Sequence, residues 1–75
     1  MEKSYLLHAA DVEGRTLDIR QIAPEDEDKA RLTQIRKLRR DGTFNQLYGV
    51  YLYDLNRPPK RGPGLYLLDA HWTAP

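Results

Sequence analysis

The chain has 75 residues, 31% of them charged and 40% hydrophobic, with 12 basic against 11 acidic side chains and a net charge of +1. That composition is globular rather than disordered, and a charge so near neutrality excludes coating nucleic acid through bulk positive charge. There is no cysteine, so disulfides and thiolate metal sites are excluded, as fits a reducing compartment.

The length suits one small domain over residues 1–75, which buries only about 60% of the surface its unfolded chain exposes. No run approaches the ~20 apolar residues of a membrane span, and the N-terminus lacks the charged-then-apolar pattern of a secretory signal. With neither repeat nor linker, the chain from Met1 to Pro75 reads as a complete small cytoplasmic product.

Residues 4–12 are strand-like, with Tyr5, Leu7 and Ala9 alternating against Leu6, His8 and Ala10. Glu13-Gly14 then separates them from residues 16–22, where Leu17 and Ile19 alternate with Asp18 and Arg20. Two such runs around a short glycine turn predict a β-hairpin.

The stretch 24–41 is written as the one long helix. Pro24 suits the first helical position, and Glu25, Asp26, Glu27 and Asp28 suit the positive end of the helix dipole. Bases gather at the other end, and Gly42 is placed for the left-handed residue just past it. Leu32, Ile35 and Leu38 form the expected sheet-facing stripe.

Period two returns over residues 45–55, rich in tyrosine and aliphatics. The loop RPPKRGPG at 57–64 excludes helix and strand alike. A last strand over 65–73 is expected to pair antiparallel with the one before it. The predicted fold is therefore α+β: a β-β-α-β-β domain with a four-stranded, mainly antiparallel sheet covered on one face by the helix. Leu17, Ile19, Val50, Leu52, Leu68 and Trp72 are expected beneath that helix. The other face, with Leu47, Tyr51, Tyr53, Leu65 and Leu67, then has no cover, and exposed apolar patches of that kind mark partner surfaces.

Three groups of residues are candidates for function. Lys29, Arg36, Lys37, Arg39 and Arg40 form a basic helix end that would neutralise phosphate or meet an acidic protein surface. A solvated face with bases placed to suit the dipole explains them as well. Arg57, Lys60 and Arg61 stand on a proline-stiffened loop, where stiffness lowers the ordering cost of binding. Tyr51, Tyr53 and Tyr66 supply rings suited to a protein interface. The order of elements does not match an RNA-recognition motif, and no glycine-aromatic signature accompanies it. Asp69 and His71 share a strand face, but without an activated nucleophile or a phosphate loop they make a thin catalytic case.

The expected function is non-enzymatic, with no cofactor and no metal. It is stoichiometric association with a larger protein or nucleoprotein complex, in the manner of a phage- or mobile-element-type inhibitor or adaptor. Direct nucleic-acid binding through the same bases is the rival, and a structural homodimer the third reading.

Overall fold

The structure, a computed structural model, describes residues 2–73. Four strands form one open antiparallel sheet in the order β2-β1-β3-β4. They are β1 (Tyr5–Ala10), β2 (Thr16–Ile22), β3 (Gly49–Asp54) and β4 (Tyr66–Trp72), and the helix α1 (Glu27–Arg40) lies between the two hairpins. The α+β expectation holds. β2 has the expected bounds, the other three strands are shorter than their sequence patterns, and two single 3-10 turns, Pro24–Asp26 and Phe44–Gln46, take the start of the expected helix and the first residues expected in the third strand.

Local chemistry explains the joints. Asp11 Oδ1 accepts the backbone N–H groups of Glu13 and Arg15, both at 2.9 Å, and Gly14 takes the positive φ that closes the first hairpin. At the helix end Gly42 adopts φ 76°, and Thr43 N–H reaches back to Leu38 O at 2.9 Å, satisfying a carbonyl the helix leaves open.

β1 pairs with β2 on one side and β3 on the other, so β2 and β3 run parallel and α1 is the crossover above β1. Residues directly opposite one another share a face. One face carries the rows Ile22–Tyr5–Asp54–Tyr66, Arg20–Leu7–Leu52–Asp69 and Asp18–Ala9–Val50–His71. The core sits there: Leu7, Ile22, Leu52 and Ala30 of the helix form its centre, with Tyr5, Val50 and Leu68 packed around it.

The helix faces this layer through Ala30, Gln34 and Leu38, all buried, at i, i+4 and i+8. This corrects the expected stripe. Leu32 is 56% exposed, because at 3.6 residues per turn it lies about 160° around the helix from Gln34. Polar flanks fix the phase instead. Gln34 Nε2 donates to Asp18 Oδ2 at 3.0 Å, Lys37 Nζ lies 3.7 Å from Asp18, and Arg31 Nη2 reaches Asp69 Oδ2 at 3.3 Å on the opposite side. The helix is thereby held between β2 and β4. Ile19 and Trp72 were also expected beneath it and are not. The helix side of β2 is taken by Asp18 and Arg20, which serve the polar flank, so their neighbours point away.

Both edge strands carry a bulge. Leu17 is the extra residue of β2 and Leu68 that of β4. Such irregularities twist an edge away from continuous pairing with another chain.

Candidate functional site: the open sheet face and two basic ends

The face turned away from α1 carries the rows Gln21–Leu6–Tyr53–Leu67, Ile19–His8–Tyr51–Ala70 and Thr16–Ala10–Gly49–Trp72. None of these residues is Lys, Arg, Asp or Glu, in a chain that is 31% charged. Trp72 is 59% exposed, Ile19 51% and Leu67 48%, whereas Tyr51 and Tyr53 are half-buried against their neighbours.

The rings form a line across the sheet. His8 and Tyr51 have centroids 6.0 Å apart, and Tyr51 meets Trp72 edge-on at 6.3 Å, the T-shaped geometry that suits aromatic quadrupoles. Gly49 makes room for this line. A Cβ there would lie 2.6 Å from Tyr51 Oη, so the ring leans over the one residue that lacks a side chain. His8 Nε2 lies 2.8 Å from Thr16 Oγ1, which fixes its ring. Burial pushes the Tyr53 hydroxyl above its ordinary pKa, with Tyr51 adding to the shift.

The sequence pointed to Tyr51 and Tyr53 on an uncovered face, and both lie on it. Tyr66 does not. It shares the helix-side row with Asp54 and packs beneath the loop, with the Arg57 guanidinium 5.2 Å and the Lys60 ammonium 5.6 Å from its ring centre. Leu47 caps the 3-10 turn before β3, and Leu65 belongs to the loop end. His8, Ile19 and Trp72 join the open face unpredicted. The i, i+2 spacing of Tyr51 with Tyr53, and of Ala70 with Trp72, was the available signal, but the bulge at Leu68 reverses the alternation of β4, so Tyr66 and Trp72, which strict period two places together, fall on opposite faces.

The two basic groups lie at opposite ends of the sheet. β2 ends at Ile22 beside Tyr5 and Asp54, and the helix runs back from there. Its C-terminal bases therefore sit at the end of the sheet that holds Ala10 and Trp72, while Arg57, Lys60 and Arg61 sit at the other, just past Asp54. The helix-end bases are also partly engaged. Lys37 Nζ binds Asp41 at 2.8 Å, and that hydrogen bond raises the Lys37 pKa and lowers that of Asp41. Arg39 lies over the Phe44 ring at 4.6 Å, and Arg40 Nε is 4.0 Å from Asp41. Among the described residues Lys29 and Arg36 have no acidic partner.

On the loop, Arg57 Nε pairs with the buried Asp54 carboxylate at 3.1 Å, and Asp54 also accepts Asn56 N–H at 2.9 Å. The loop base is thus fixed by an Asx turn. The two histidines lie on opposite faces. His71 Nε2 is 2.8 Å from Asp69 Oδ2, but that same oxygen is shared with Arg31, and His71 is exposed. No group of three metal-binding side chains occurs among the described residues, and no helix among them is long and apolar enough to cross a membrane. No protein-family model, curated protein or solved structure matches the chain.

Proposed function

We propose that the protein is a non-enzymatic binding module that associates stoichiometrically with a larger protein through the open face of its sheet, as an inhibitor or adaptor in the cytoplasm. The observation that carries this reading is the charge-free aromatic line His8–Tyr51–Trp72, flanked by Ile19 and Leu67, with nothing in the described chain above it. Interfaces are depleted of charge at their centre and enriched in tyrosine and tryptophan, which supply most of the binding energy. Ile19, Leu67 and Trp72, all exposed, gather on this one charge-free face, where water is a poor neighbour.

Direct nucleic-acid binding draws less support. Stacking platforms pair rings with cations along one groove, whereas the open-face rows hold no Lys or Arg and the two basic groups flank opposite ends of the sheet. A partner nucleoprotein would therefore be engaged through its protein. The test is affinity capture from nuclease-treated host extract with the wild type and a Tyr51→Ser/Trp72→Ser variant. Stoichiometric co-elution lost at least tenfold in the variant supports the reading, and unchanged capture overturns it. Light scattering of the purified chain distinguishes a second copy on the same face.

A further inference from the structure

We infer that the hollow between the 57–64 loop and the start of β4 receives an extended acidic segment of a partner protein, seating one apolar side chain between flanking carboxylates. The hollow has a volume of about 330 Å³ and is lined by Pro59, Pro63, Leu65, Tyr66 and Leu67, with Lys60 and Arg61 also on its wall. Its lining is mainly apolar, and its cations lack carboxylate partners. Neither Lys60 nor Arg61 has an acidic partner among the described residues, while Arg57 beside them is neutralised by Asp54. Charge complementarity thus asks for carboxylates on either side of an apolar anchor.

Two further features favour a peptide. β4 is the last strand of the sheet, so its outer backbone groups have no strand partner in the chain, and an extended segment satisfies such an edge by strand addition. The bulge at Leu68 interrupts β4 only after Leu67, leaving the residues beside the hollow to pair first. The loop is also pre-organised. Pro58, Pro59 and Pro63 restrict its backbone, the Asp54 turn anchors its base, and the cations over Tyr66 are already in place, all of which lowers the ordering cost of binding. A nucleic-acid strand would find phosphate-binding cations here, but the Tyr66 ring is overlaid by Arg57 and Lys60 and so is not presented for a base.

This site shares Leu67 with the open face but none of the rings of its aromatic line, and the experiment keeps the two apart. A random twelve-residue peptide display library is selected on the wild-type chain. Enriched peptides are then rebound to Lys60→Glu/Arg61→Glu, to Leu65→Asp and to Tyr51→Ser/Trp72→Ser, each checked for native circular dichroism. Sequences with one apolar residue between acids, weakened at least tenfold by the first two variants and unchanged by the third, are expected. No enrichment, enrichment of neutral or basic sequences, or binding insensitive to the Lys60 and Arg61 change overturns the inference. Tighter binding of a labelled oligothymidine 20-mer than of any enriched peptide, abolished by the same change, also overturns it in favour of phosphate.

Discussion

Gln34 Nε2 donates to Asp18 Oδ2 at 3.0 Å and to the Leu7 carbonyl at 3.3 Å, so a single buried amide ties the helix to both strands of the first hairpin. A hydrogen bond is worth about 0.5–1.5 kcal/mol net, but a buried acceptor left without its donor costs about 1–3 kcal/mol. Gln34→Ala, which adds a cavity, is expected to lose about 2–4 kcal/mol in urea unfolding. A loss below about 0.5 kcal/mol, the range of neutral surface changes, would show that the amide does not hold the helix.

Acid stability should depend on Asp18. Burial is the largest single influence on its carboxyl and acts to raise the pKa. Hydrogen bonds from Arg20 and Gln34, with the charges of Arg20 and Lys37, together outweigh it and hold the group below its ordinary value. A depressed carboxylate contributes stability that is fully present above the unfolded pKa, about 3.9, and is lost as pH falls through the folded value. Asp18→Asn is expected to be less stable at pH 6 and to lose less between pH 5 and pH 2. Parallel stability-against-pH curves for the two proteins would refute the assignment. The Lys37–Asp41 pair is exposed, so its smaller share should vanish in 0.5 M salt while that of Asp18 persists.

The rotational setting of the helix can be read by two truncations. Leu38 is buried and Leu32 is not. Leu38→Ala is expected to cost about 2–5 kcal/mol, and Leu32→Ser to stay within about 0.5 kcal/mol. Similar losses from both would restore the stripe expected from sequence.

Gly49→Ala tests the aromatic line without touching a ring. The new Cβ would meet Tyr51 Oη at 2.6 Å and Cζ at 2.8 Å, so the ring must swing aside and leave the edge of Trp72. An aromatic pair of this kind is worth about 0.5–1.5 kcal/mol, and a loss of that size is expected. It should be accompanied by a changed near-ultraviolet circular dichroism signal, since Trp72 is the chain's one tryptophan. An unchanged spectrum would mean that Tyr51 does not lean over Gly49.

Much of the fold was legible because its signals are local. Pro24, the acid run and Gly42 bracket the helix, and Gly14 marks the first turn, through conformations that few other residues adopt so readily. Phase was harder to read. Leucine and isoleucine suggested a stripe through Leu32, yet the buried face is completed by Gln34, a polar residue whose partners lie on distant strands. Asp18 misled in the same way: a carboxylate on β2 reads as solvent-facing until Gln34, Arg20 and Lys37 are known to surround it. The separation of the two basic groups was likewise invisible, since it follows from the sheet order and not from spacing along the chain.

The placement of β1 at the middle of the sheet bears on how the chain reaches its native state. This central strand has one edge satisfied by the local hairpin to β2, and the other only when Tyr5 meets Asp54 and Ala10 meets Gly49. Contacts of such long sequence separation slow folding and leave apolar surface uncovered meanwhile. Until β3 docks, the inner edge of β1 stays unpaired and the row through Leu7 lacks Leu52 beside it, so the central strand has both of its edges satisfied only then.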